Sequence, residues 1–163
     1  MLEDLDGRID CILQSDPTVI GLESTVVDCT SDVPIVLRKG GVSLESLRSI
    51  IPEIKDHESD ATAVPRSPGL KHRHYSPRAT VVLVTADEKI DATAADGYIG
   101  LTKRDGSFRI AMVCENVESY AHSLFEFFRK CDRTGVKRIF CESVADAGIG
   151  AALMDRIRRA AAG

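Results

Sequence analysis

The sequence predicts an α/β protein in two unequal parts: a doubly wound layer over residues 80–163, joined by a linker at 65–79 to an α+β segment over 1–64. Three observations carry this prediction. After residue 79, apolar β-branched runs alternate with amphipathic helical stretches, the order that builds a parallel sheet under helices. Before residue 65, two short β-branched runs stand one turn apart, as in a hairpin. Between them, Pro65, Pro68 and Pro77 are three of the chain's six prolines. They fix φ and keep the segment extended, and Ser67-Pro68-Gly69 bends it. The C-terminal part is therefore expected to be a small Rossmann-like domain.

Composition sets the outer limits. With 163 residues, 44% of them hydrophobic, the chain can bury a proper core. No apolar run approaches the roughly twenty residues that cross a bilayer. The start, Met1-Leu2-Glu3-Asp4-Leu5-Asp6, is acidic where a signal peptide is basic. A soluble cytoplasmic protein with no membrane partner is expected. The five cysteines, Cys11, Cys29, Cys114, Cys131 and Cys141, form no short metal or redox spacing and read as reduced, mostly buried apolar residues. A net charge of −4 argues against bulk nucleic-acid binding, which leaves a basic loop as the place for any RNA contact.

In chain order, Leu2, Leu5, Ile9 and Ile12 have helical spacing, so a short amphipathic helix is expected over 2–13, ended by Pro17. Thr18 to Ile20 and Ser24 to Cys29 read as strand interrupted at Gly21. A turn at Ser31-Asp32-Val33-Pro34 leads to a second strand, Ile35 to Arg38, and Lys39-Gly40-Gly41 forms another turn. Ser43 suits the N-cap of a helix with Leu44, Leu47 and Ile51 inward, limited by Pro52. Residues 53–64 are polar and unperiodic, so irregular structure is expected there. Thr80 to Thr85 is a continuous apolar run, the form of a strand buried on both faces, and a short helix is expected after it. Ile110 to Cys114 is expected to be another buried strand. Tyr120, Ala121, Leu124, Phe125, Phe127, Phe128 and Cys131 line one face of a long helix that Gly135 closes as a C′ residue. Val136 to Cys141 is a further strand, and Leu153, Ile157 and Ala160 mark a final helix from near Gly150.

Chemistry concentrates in few places. Between Pro65 and Arg78 stand four Arg or Lys, two His and one Tyr with no carboxylate, a local inversion of the chain's charge that suits an anion such as phosphate. Glu23-Ser24-Thr25 beside Arg38 on the neighbouring strand puts hydroxyls and a planar guanidinium fork near one pocket, which suits phosphate or carboxylate. Gly148-Ile149-Gly150 before a helix has the form of an anion-binding nest, though a plain helix start explains it as well. His72 and His74 fall on one side of an extended segment, without a third metal ligand in view. The residues show no Ser-His-Asp array or activated thiol, so no metal ligand and no catalytic residue is assigned.

Three ordered motifs, Gly21-Leu22-Glu23-Ser24-Thr25-Val26-Val27-Asp28, Leu37-Arg38-Lys39-Gly40-Gly41-Val42 and Ser67-Pro68-Gly69-Leu70-Lys71-His72-Arg73-His74-Tyr75-Ser76-Pro77, closely resemble the two-domain threonylcarbamoyl-AMP synthases. Gly135-Val136-Lys137-Arg138-Ile139-Phe140 and Gly148-Ile149-Gly150-Ala151-Ala152, followed by Asp155-Arg156, extend the resemblance through the C-terminal part. It implies the end of a YrdC-like catalytic domain over 1–64, incomplete here, then the linker and a Rossmann-like domain. The implied reaction condenses L-threonine, bicarbonate and ATP, with magnesium, to threonylcarbamoyl-AMP and pyrophosphate for adenosine 37 of certain tRNAs. By position the resemblance implies that Ser24 contacts threonine, Arg38 the nucleotide phosphate, and Tyr75 the nucleotide as part of a lid. Family members carry Lys-x-Arg and Ser-x-Asn motifs that hold the ATP phosphates, and this sequence begins after both. Lys39 replaces a common proline, and Leu70 and His72 replace Met and Tyr. The expectation is the C-terminal part of such an enzyme, inactive alone, with its N-terminal half supplied in cis or in trans and tRNA or tRNA-modification proteins as further partners. The alternative is a non-catalytic nucleotide- or tRNA-binding or regulatory module that partners a separate synthase.

Overall fold

The computed structural model describes residues 6–13, 18–57 and 76–162, and these form two sheets. The smaller has three strands in the order β1 (Val26–Asp28), β2 (Ile35–Arg38), β3 (Lys55–Asp56). β1 and β2 form the expected antiparallel hairpin, with a register irregularity between Val26 and Val27, and β3 adds to β2 in parallel. Helix α1 (Leu44–Arg48) lies between β2 and β3, and the Ser43 hydroxyl accepts from the Ser46 N–H as its N-cap.

The larger sheet holds β4 (Thr80–Val84), β5 (Gly97–Gly100), β6 (Ile110–Val113) and β7 (Arg138–Glu142), all parallel in the order β4-β7-β5-β6. Helix α2 (Val117–Thr134) joins β6 to β7, and α3 (Ile149–Ala161) follows β7. The α2 stripe is buried as its spacing predicts: Tyr120, Ala121, Leu124, Phe127, Phe128 and Cys131. Asn116 and Ser119 form a reciprocal capping box at its start, and Gly135 ends it in the left-handed region at φ 70°. Strand alternation then divides the core. Val81, Ile99, Ile139 and Cys141 pack with Tyr120, Phe127, Leu153 and Ile157, so both helices cover one face. Val84, Tyr98 and Phe140 point to the other face, where Ile90 and Phe108 from two long loops cover them. Among the described residues no helix is long and apolar enough to cross a membrane.

The α/β class and the parallel sheet match the expectation, but several elements differ from it. Residues 6–13 contain a turn and no helix, because Gly7 takes φ 71° and breaks the helical path; residues 2–5 lie outside the described set. Thr18 to Ile20 is not strand, and Gly21, also at φ 71°, turns the chain before β1. Helix α1 is one turn and a half and buries no residue, so its apolar positions are only half covered. Within the stretch read as irregular, Lys55–Asp56 form β3, whose two residues are too few to show a period; residues 58–64 lie outside the described set. No helix follows β4: residues 85–96 run as turns and loop, pinned by Arg104, which donates to the carbonyls of Thr85 and Glu88. The layer is therefore not wound with helices on both faces. β6 is an edge strand, half exposed, and not buried on both sides. Cys114, Cys131 and Cys141 are buried and Cys11 and Cys29 exposed, all as free thiols.

Two buried carboxylates tie the larger sheet together. Asp96 accepts from Arg138 Nε at 3.0 Å and Nη2 at 2.7 Å, and from the Thr93 N–H and hydroxyl. Glu142, at the carboxyl end of β7, accepts from the Tyr98 hydroxyl, the Leu101 and Thr102 N–H groups and the Thr102 hydroxyl. Gly100 is required beside it, since a Cβ there would lie 2.5 Å from the Glu142 side chain. Burial raises the Glu142 carboxyl, but these donors outweigh it and hold the group below its usual range.

Candidate functional site

The hairpin brings two of the three residues expected at the site together. Arg38 ends β2, and Ser24 lies two residues before β1 on the antiparallel partner. Arg38 Nε donates to the Ser24 carbonyl at 3.0 Å, and Nη2 donates to Ser24 Oγ at 3.2 Å. The guanidinium is half-buried and the serine exposed. Because Ser24 Oγ accepts from Arg38, its own proton remains available to an incoming acceptor, so a hydroxyl and a cation present themselves side by side. That pair suits a carboxylate or a phosphoryl oxygen. Tyr75, the third residue, lies outside the described residues, as do His72 and His74.

The loop after β2 is built tightly onto this pair. A Cβ on Gly40 would sit 2.2 Å from the Thr25 nitrogen and 2.4 Å from the Glu23 carbonyl oxygen, so only glycine lets the two backbones meet. The Thr25 hydroxyl donates to the Val42 carbonyl at 2.7 Å and accepts from the Val42 N–H at 3.1 Å, closing the same loop. Lys39 pairs with Asp56 of β3 at 2.9 Å.

Contacts from the larger sheet's helices reach this loop. Arg156 of α3, with a side chain only 8% exposed, donates from Nε to Glu23 Oε2 at 2.7 Å and from Nη2 to the Lys39 carbonyl at 2.9 Å; Asp155 also accepts from it. Burial raises the Glu23 carboxyl, while the Arg156 hydrogen bond and charge, together with Arg38, outweigh burial and hold it below the usual range. Sequence reasoning gave Glu23 no structural partner, and it met Arg156 only within the family motif Asp155-Arg156, without a role. Nothing in the spacing of α3 sets Arg156 apart from Arg158 and Arg159.

The glycine turn before α3 is tightly built, and no side chain caps the helix start. Gly148 has φ 56°, and a Cβ on Gly150 would meet the Ala145 carbonyl oxygen at 2.2 Å. The Glu45 carboxyl of α1 faces this helix start. Its own backbone N–H and the Ser43 hydroxyl hold it below its usual value, and the Gly148 N–H adds to the effect. A cleft of about 100 Å³ runs between the two parts here, lined by Lys39, Gly40, Ser43, Glu45, Asp146 and Gly148 among others. Among the described residues no group of three His, Cys, Asp or Glu side chains could hold a metal ion.

Residues 42–162 match the family profile described as threonylcarbamoyl-AMP synthase, C-terminal domain. The chain is 37% identical over 174 aligned residues to a threonylcarbamoyl-AMP synthase of Pyrococcus abyssi, covering 97% of this chain and 51% of that protein. It is 34% identical to the Bacillus subtilis protein of the same name and 32% identical to that of Schizosaccharomyces pombe, with 98% and 97% of this chain covered and 51% and 46% of theirs. The crystal structure of P. abyssi Sua5 complexed with L-threonine superposes with a TM-score of 0.81 at 34% identity, over 99% of this chain and 52% of that one. A P. abyssi Sua5 variant with an adjacent histidine and tyrosine replaced by alanine gives 0.84 at 35% identity, over 99% and 51%. The chain thus spans about half the length of the curated relatives it matches.

Proposed function

The chain belongs to the threonylcarbamoyl-AMP synthase family, and from that membership we propose that it forms the C-terminal part of an enzyme making threonylcarbamoyl-AMP from L-threonine, bicarbonate and ATP. The observation that carries the reading to particular residues is the Arg38 fork on Ser24. Such a pair suits the chemistry. The threonine amine attacks the carbon of bicarbonate and forms a carbamate with loss of water, and a carbamate oxygen then displaces pyrophosphate at the α-phosphorus. Negative charge is therefore present on the threonine carboxylate, the carbamate and the phosphates at once.

In this reading Ser24 donates its hydroxyl proton to the threonine, and Arg38 places its remaining donors on a phosphate oxygen of the nucleotide. Tyr75 closes over the nucleotide with the basic linker. This chain's one His-Tyr step is His74-Tyr75, and the choice of an adjacent His and Tyr for substitution in a solved relative supports a role for that step. Magnesium enters with the ATP phosphates, as part of the substrate. The Lys-x-Arg and Ser-x-Asn donors would come from the N-terminal half. The product would serve adenosine modification in tRNA, with tRNA-modification proteins as partners and the cytoplasm as the compartment.

The test joins this chain to the N-terminal half of the P. abyssi enzyme and follows pyrophosphate release. Release that needs both threonine and bicarbonate, and that Arg38→Ala reduces by about tenfold or more, is the expected result. No threonine-dependent release from the joined protein, or full release with Arg38→Ala, would overturn the assignment.

A further inference from the structure

Three charged or acidic side chains are buried among the described residues: Asp96, Glu142 and Arg156. Asp96 and Glu142 bond to groups within the larger sheet and its loops. Arg156 differs, because it belongs to α3 but spends two of its donors on the hairpin. Its partners are placed with unusual economy. Glu23 is the residue before Ser24, and Lys39 is the residue after Arg38, so one guanidinium holds both arms of the Ser24–Arg38 pair at the adjoining position.

Rigid coupling follows from the surrounding contacts. Glu23 and Lys39 cannot move apart independently, since the Gly40 Cα sits directly on the Glu23–Thr25 backbone. Nor can the hairpin slide along the helices freely. Gly21 lies against the backbone of His122 in α2, where a Cβ would come within 2.6 Å, and Leu22 packs on the larger core. A buried ion pair of this kind contributes little net stability, because desolvation offsets the attraction. Its effect is to define a geometry. Only arginine can do so here, because reaching a carboxylate and a carbonyl at once needs a planar fork with separated donors, whereas lysine offers a single nitrogen.

We propose that Arg156 is a positioning residue, through which the C-terminal α/β unit sets the geometry of the Ser24–Arg38 pair. The inference rests on the reading of that pair as the substrate contact, and the test separates the two. The first arm uses the whole chain with labelled arginine side chains and follows solvent exchange of the Arg38 Nε–H, which the Ser24 carbonyl accepts. Arg156→Lys and Glu23→Gln should each speed that exchange by about tenfold or more, the loss of one charge-assisted hydrogen bond. Amide exchange at Ile99 and Ile139 should stay unchanged. Unchanged Arg38 exchange in both variants would overturn the inference, and so would equal loosening of Ile99 and Ile139, which would make Arg156 a general stabiliser. The second arm places Arg156→Lys in the joined enzyme. A rise in KM for threonine of about tenfold with kcat within a few-fold is expected, since the chemistry is intact and the pocket misplaced. If Arg38 loosens in the first arm while KM for threonine holds, the positioning role stands and the assignment of the pair to substrate fails.

Discussion

The two sheets of this protein are held together by different physics. In the larger one, every residue of β5 is buried and α2 alone buries six side chains, so apolar contact defines the positions of its elements. In the smaller one, β1 has no fully buried residue, α1 buries none, and the buried apolar side chains of the hairpin and its neighbours are Val36, Leu37 and Ile54. What fixes the smaller sheet is polar and steric: a cap at Ser43, a glycine pressed on a backbone, the Thr25–Val42 pair of hydrogen bonds, and a guanidinium lent by α3. The candidate site sits on the weakly buried side, where its groups remain accessible, and takes its precision from the densely packed side. That division resembles a binding loop on a rigid scaffold, except that here the loop is a hairpin.

The sharpest way to break this comparison is a matched pair of truncations. Leu124→Ala in α2, where the side chain is fully buried, should cost about 2–5 kcal/mol in urea unfolding. Leu47→Ala in α1, where the side chain is half covered, should cost less than about 1 kcal/mol. Equal costs would mean that α1 is more deeply held than its exposure indicates.

A smaller effect is expected at Gly40. Gly40→Ala must push apart two backbones, with no flexible side chain to absorb the shift, and should cost about 1–3 kcal/mol. Its mark would be local: faster amide exchange at Val26 and Val36 with Ile139 unaffected. Loss of protection in both sheets would show that the two parts unfold as one unit.

The mildest effect is pH-dependent and belongs to the larger sheet. Hydrogen bonding to the Arg138 guanidinium lowers the Asp96 carboxyl from its ordinary 3.8 to about 2. A carboxyl with a depressed folded value stabilises the protein above its unfolded value and loses that contribution as pH falls through the folded one. Between about pH 4 and pH 2 the urea midpoint should therefore fall, and Asp96→Asn, already without the charge, should show a shallower fall over the same window. Identical slopes would remove Asp96 from the account and leave the acid sensitivity to the other lowered carboxyls, Glu142 in the larger sheet and Glu23 at its contact with Arg156.

Local pattern and motif were enough for the elements that carry their own signals. The α2 stripe, its stop at Gly135, the Ser43 cap, β2, and the apolar run of β4 were all legible, because helix period, capping and β-branching act over a few residues. The family motifs likewise marked Ser24 and Arg38. Tertiary structure alone decided the rest. β5 reads Gly-Tyr-Ile-Gly, a poor strand by composition; it is a strand because it lies between β7 and β6, where a Cβ on Gly97 would press on Cys131 Sγ at 3.2 Å. β3 exists only because β2 offers it an edge. Where a helix was expected after β4 there is a loop whose carbonyls are taken by Arg104, nearly twenty residues away. Arg156 is the plainest case. As a residue it is one of three arginines in four positions, and only the packing of α3 against the hairpin gives it Glu23 and Lys39 as partners, at separations of 133 and 117 residues along the chain. Contacts over such distances leave no trace in local pattern, because the energy that selects them belongs to the assembled fold and not to the segment.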